Sequence, residues 1–164
     1  MSVDKKLNVL TKIGRILNEN QIVWAVGGSL LLYLKGKADT FGDIDIMAAE
    51  TDAGRIKEIL QQYGELAAPN PNVLYKTRHF YEFTIDGVEI DVMAGFTIVS
   101  GAEEHDCSLH PGSINEHLCI NGVAIPVQSL DDWRTYYALM GRMEKVAMID
   151  GENRASFAPL DECD

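Results

Sequence analysis

The stretch Ile22-Val23-Trp24-Ala25-Val26-Gly27-Gly28-Ser29, followed after thirteen intervening residues by Asp43-Ile44-Asp45-Ile46, decides the fold. Its first five residues are an apolar run that ends in two glycines, the pattern of a buried strand entering a tight turn. Ser29 then opens residues 30–34, a short helix with a serine near its N-cap. From Asp43 to Ala48 acid and apolar residues alternate, which predicts a strand with Asp43 and Asp45 on one face and Ile44 and Ile46 on the other.

Working outward, residues 3–18 carry Val3, Leu7, Leu10, Ile13 and Leu17 in steps of three and four, one apolar helical stripe. Residues 52–63 repeat the pattern with Ile56, Ile59, Leu60 and Tyr63. Two alternating runs, Phe80 to Ile85 and Val88 to Met93, flank Asp86-Gly87, the signature of a type I′ hairpin. A two-residue loop sets the register: Ile85 opposite Val88, Thr84 opposite Glu89, Phe83 opposite Ile90, Glu82 opposite Asp91. Tyr81, Phe83, Ile85, Val88, Ile90 and Val92 then face the core. Glu82, Thr84, Glu89 and Asp91 share the other face, where the opposed Glu82 and Asp91 are a like-charge pair that costs stability unless a cation sits there. Residues 97–122 read as loop, 123–127 as a last short strand and 130–149 as one helix. The expectation is an α/β (α+β) fold: a small twisted mixed sheet, helices on one face, and an open acidic face as the cleft. It forms a single domain over residues 1–149, with a polar, acidic tail over 150–164.

Composition narrows the chemistry. In 164 residues, 14 Lys and Arg stand against 25 Asp and Glu, a formal charge of −11. That excess argues against holding nucleic acid by broad phosphate neutralisation. No run approaches the roughly 18 apolar residues of a membrane span, and the N-terminus lacks the apolar core of a signal peptide. Cys107, Cys119 and Cys163 show no C-x-x-C spacing, which reads as three free thiols in a reducing cytoplasm.

Gly27, Gly28 and Ser29 stand where a strand ends and a helix begins. Small residues there admit a phosphate, and a helix N-terminus offers it free N–H groups. Asp43 and Asp45 on one strand face can hold a hard divalent cation through oxygen, and Asp91 brings a third carboxylate on another strand. An anion cradle beside clustered carboxylates suits phosphoryl or nucleotidyl transfer from a metal-bound nucleoside triphosphate.

At these residues the sequence resembles the nucleotidyltransferase superfamily with the DNA polymerase beta-like fold: Gly-Gly-Ser, a helix, acid-apolar-acid, and a later third acid. The resemblance spans roughly residues 22–93 and more loosely reaches 146; in length and layout the chain is similar to the small lincosamide and aminoglycoside nucleotidyltransferases. It implies that Gly28 and Ser29 touch the triphosphate, with Gly27 beside them. It implies that Asp43 and Asp45 bind Mg2+, and that Asp91 is a metal ligand or the base that takes the acceptor's proton. Glu89 and Glu82, on the same face as Asp91, are further candidates for the base. A basic residue on the last helix, Arg142 or Lys145, would reach the triphosphate. The implied function is Mg-dependent transfer of a nucleoside monophosphate to a hydroxyl of a small molecule such as an antibiotic, or of a protein. The alternative is a non-catalytic module of this fold, an antitoxin-type or regulatory protein partner. Lys35, Lys37 and Arg78 are weighed as phosphate contacts against plain surface charge, and His105 and His110 as surface loop against a metal site. Trp24 and Trp133 are expected in the core.

Overall fold

The computed structural model describes residues 2–69 and 77–152. The chain begins with helix α1 (Val3–Glu19), capped by the Ser2 hydroxyl, which accepts the Lys5 N–H. It buries Leu7, Leu10, Ile13 and Leu17, the stripe expected from the sequence. Strand β1 (Trp24–Gly27) runs directly into helix α2 (Gly28–Leu34), then strand β2 (Ile44–Ala48) and helix α3 (Ala53–Leu60) follow. The helix after the glycines therefore starts earlier than expected. Gly27 is its N-cap and Ser29 lies inside its first turn.

Short strand β3 (Glu65–Leu66) precedes the hairpin of β4 (His79–Ile85) and β5 (Val88–Ala94). Its register is the one the Asp-Gly turn predicts, with Glu82 opposite Asp91 and Ile85 opposite Val88. Asp86 and Gly87 both take positive φ, 52° and 80°, as a type I′ turn requires.

Residues 97–122 are not the loop expected. They form a small hairpin of β6 (Thr97–Ser100) and β7 (Glu103–Asp106), a 3-10 turn, and strand β8 (Glu116–Ile120), which pairs with β9 (Val123–Val127). The β8–β9 turn is Asn121-Gly122, again with both φ positive, so the rule that found one hairpin was available for a second. The helix expected over 130–149 is two, α4 (Leu130–Leu139) and α5 (Met143–Asp150). Gly141, at φ +77°, donates its N–H back to the Ala138 carbonyl and ends the first. Of the tail, residues 153–164 lie outside the described residues, and Cys163 with them. Cys107 is a free, buried thiol, but Cys119 is disulfide-bonded, against the expectation of three free thiols.

The main sheet is mixed, in the order β3-β4-β5-β2-β1-β9-β8, with β2 parallel to β5 and β1 parallel to β9. This is the mixed α/β architecture the sequence predicts. Helix α1 packs against one face, where a Cβ at Gly14 would meet the Trp24 ring and Ile125. Helix α4 adds something further: its Trp133 indole fills the space a Cβ would take at Gly27, whose side-chain direction is opposite to that of Trp24 and Val26. Trp24 and Trp133 are both core residues, 1% and 3% exposed.

Candidate active site

Strand register gathers the acids. Gly27 pairs with Asp45 on β2, Asp45 with Asp91 on β5, and Asp91 with Glu82 on β4. Directly paired residues share a face, so these four form one row across the sheet. The row before it holds Asp43, Glu89 and Thr84, and Asp43 is hydrogen-bonded to Glu89. The row after it is apolar: Ala25, Met47, Met93 and Phe80. The acidic face is thus graded along the strands, from carboxylates to methionine and phenylalanine.

The carboxylates strain against one another. Burial pushes the Asp45 carboxyl well above the ordinary range, and Asp91 and Asp43 push it further; Lys145 and then Arg142 pull it back. Asp91 is raised to about 7 by burial and by the charges of Asp43, Glu82 and Glu89. Asp43 is raised by burial and by Glu89, with Lys6 opposing. Each shift has the causes expected of like charges crowded in a half-dry site.

Gly28 makes the approach to Asp45 possible. Its φ is +62°, and a Cβ there would lie 1.9 Å from Asp45 Oδ2. Only glycine combines that backbone with that clearance, so β1, the turn and the acid row are fitted to each other at this point. Ser29 is oriented differently: its hydroxyl accepts the Gly42 N–H at 3.3 Å and ties α2 to the loop that delivers Asp43. Arg142 caps α5, donates Nε to Glu144 at 2.9 Å and lies over the Tyr137 ring. Lys145, in the first turn of α5, acts on Asp45 more strongly than Arg142 does. The structure so separates two cations that sequence alone leaves equivalent.

Other basic candidates are engaged elsewhere. Lys35 pairs with Glu116, and Lys37 donates to the Gly151 carbonyl. Arg78 holds Glu50, Asp106 and the Ser108 hydroxyl, not the acid row. His110 starts the 3-10 turn that Ser113 closes, and half-buried His105 approaches Glu103 at 3.9 Å. Lys6 was not anticipated. It reaches across from α1, donates to the Phe41 carbonyl at 2.8 Å and lies near Asp43. No local pattern links position 6 to position 43. A cavity of about 160 Å³ adjoins the row, lined by Asp45, Asp91 and Arg142 and by Phe80, Met93, Phe96, Trp133, Tyr137 and Met140.

Among the described residues no group of three or more His, Cys, Asp or Glu side chains is placed to hold a metal ion. Carboxylate oxygens are nonetheless the donor type that a hard divalent ion takes. They come here from two adjacent strands, with pKa values raised by burial and by one another's charge, and Asp45 Oδ2 packs close against Gly28.

Residues 9–153 match the model of the aminoglycoside-2''-adenylyltransferase family, and the chain belongs to that family. It is a nucleotidyltransferase enzyme, which sets aside the non-catalytic module. Among solved structures, it is similar to a protein from Thermotoga maritima provisionally assigned as a nucleotidyltransferase. They share 27% identity over 92% of this chain and 93% of that one, with a TM-score of 0.72. Its fold is also that of the antibiotic-resistance factor ANT(2'')-Ia, solved with adenylyl-2''-tobramycin (14% identity, 88% and 87% covered, TM-score 0.60). The lincosamide antibiotic adenylyltransferase LnuA with lincomycin bound shares it too (12%, 91% and 97%, 0.55). No curated protein matches. No helix among the described residues is long and apolar enough to cross a membrane.

Proposed function

We propose that the protein transfers a nucleoside monophosphate from a nucleoside triphosphate to a hydroxyl of an aminoglycoside or a related antibiotic. The observation that carries this is the row Gly27, Asp45, Asp91, Glu82, with Asp43 beside it. A glycine turn beside clustered carboxylates, with Lys145 and Arg142 acting on Asp45, supports a single site for a reacting phosphate. The family and the drug-bound structures of like fold support the choice of acceptor.

In this reading Asp43 and Asp45 hold Mg2+, and Asp91 serves as the base in place of a third ligand. When bound, the ion neutralises phosphate charge and lowers the pKa of the attacking hydroxyl. Gly27 and Gly28, packed against Trp133 and Asp45, form the turn into α2, whose first N–H groups face the triphosphate in this reading. Ser29 keeps the Asp43 loop against that helix. Lys145 and Arg142 draw the phosphates toward α5. The acceptor oxygen attacks the α-phosphorus, and the bond to the bridging oxygen of the departing pyrophosphate breaks. Asp91, central in the row, receives the hydroxyl proton, with Glu89 one step along the same face as the next acceptor for it.

The test is pyrophosphate release with magnesium over a panel of aminoglycosides, lincosamides and protein acceptors. Release with an aminoglycoside is expected, with mass spectrometry showing a nucleotidylated drug. Release only with protein acceptors would move the substrate class, and no release with any acceptor would overturn the reading.

A further inference from the structure

The two metal-binding carboxylates of the transfer reading are held in different ways. Asp45 lies inside β2, paired with Gly27 on one side and Asp91 on the other, so the sheet fixes it. Asp43 precedes β2, and the ladder with β5 begins at Ile44. The place of its carboxylate therefore depends on the end of the loop before it. Both residues just ahead of it are anchored from other elements. Gly42 donates its N–H to Ser29 Oγ in α2 at 3.3 Å. The Phe41 carbonyl accepts from Lys6 Nζ in α1 at 2.8 Å, and the same ammonium lies 5.1 Å from the centre of the Phe41 ring. That ring is buried and meets Tyr33 with centroids 5.2 Å apart.

Lys6 is out of pattern for a solubilising lysine. It stands three residues after Val3 and four before Leu10, on the stripe that α1 turns to the core, and it is half-buried. Lys5, one residue earlier, is exposed. A stripe position ordinarily takes an apolar residue. A lysine serves there when its stem packs as one and its ammonium reaches past the edge of the core. Resting on the transfer reading above, we propose that Lys6 is a positioning residue for the reaction: by gripping the Phe41 carbonyl and ring it holds Asp43 where the metal ion needs it. The grip has two points on one residue, which fixes both the direction of the carbonyl and the depth of the ring. Lys6 touches neither substrate and acts through Asp43.

Three variants of the full-length protein test this. Lys6→Met keeps the stem and removes the charge and the donor. Lys6→Arg restores both, since a guanidinium also donates and also sits over a ring. Lys37→Met is the control: it cuts a tether earlier in the same loop, one that ends on the Gly151 carbonyl. With magnesium, ATP and an aminoglycoside, Lys6→Met should lower kcat about 10–100-fold, the cost of a misplaced group. The KM values for ATP and drug should stay within about twofold, because neither substrate loses a contact. Lys6→Arg should return to within about threefold of wild type, and Lys37→Met should match wild type. Hydrogen exchange read by mass spectrometry, with no substrate or metal present, should show residues 41–46 opening about fivefold faster in Lys6→Met, the loss of one hydrogen bond. Exchange along α1 should be unchanged. The proposal alone is overturned if Lys6→Met keeps its kcat, if Lys37→Met loses as much, or if Lys6→Arg stays as slow as Lys6→Met. It is overturned equally if exchange quickens along α1 and leaves 41–46 as it was. A wild-type protein that releases no pyrophosphate with any acceptor would sink the transfer reading and this proposal together.

Discussion

Two carboxylates at opposite ends of β1 live in contrasting settings. Asp52 is buried, yet its oxygens accept the Val23 backbone N–H at 2.8 Å and Arg55 Nη1 at 3.0 Å. Asp45 is partly buried too, but its close neighbours are Asp91 in the row and Gly28 in the turn, and its pKa is driven up. Folding supplies Asp52 with partners and leaves Asp45 beside its own kind. A buried charge with partners holds a fold together; a cluster of like charges costs stability until something positive arrives. The contrast teaches which acid is structural and which serves a ligand.

The largest effect that separates them is on rate. Asp91→Asn should lower kcat about 10²–10⁴-fold, the loss typical of a general base, with the metal-free melting temperature unchanged or raised. Calorimetric melting together with pyrophosphate release checks both halves. A variant that loses several degrees would make Asp91 structural, like Asp52.

Next in size is the converse substitution. Asp52→Ala leaves the Val23 N–H without its acceptor, worth about 1–3 kcal/mol of stability, while triphosphate affinity should hold. Urea unfolding measures the first and titration calorimetry the second. Equal losses of stability in Asp52→Ala and Asp45→Ala would erase the distinction.

The smallest effect is on pH dependence. Asp91 titrates at about 7 in the fold, above its unfolded value. A raised carboxyl binds its proton more tightly when folded. The stability this contributes is therefore present at low pH and is lost as pH rises toward and through about 7. In excess chelator, the melting temperature of Asp91→Asn minus that of wild type should grow from pH 5 to pH 8. A flat difference would mean the acids do not repel.

Much of this was readable in advance because it depends on local rules. The Asp-Gly turn fixed the β4–β5 register and so put Glu82 opposite Asp91. Alternation put Asp43 and Asp45 on one face. The parallel pairing of β2 with β5, which brings Asp45 beside Asp91, joins strands separated by the 39 residues 49–87 and has no local signal. Lys6 and the α4 cover were hidden for the same reason, since both are long-range packing. The break at Gly141 was legible in principle: a glycine in a helical pattern followed by Arg142 is a C-terminal signal that periodicity overrode.

The most direct test of the central claim, that the acid row is built around a cation shared with a triphosphate, is titration calorimetry of ATP into the wild-type protein. It is run once with magnesium and once with excess chelator. Binding with magnesium and none detectable in chelator is the predicted result, because the carboxylates of the row repel a bare triphosphate. Equally tight binding in both would contradict it.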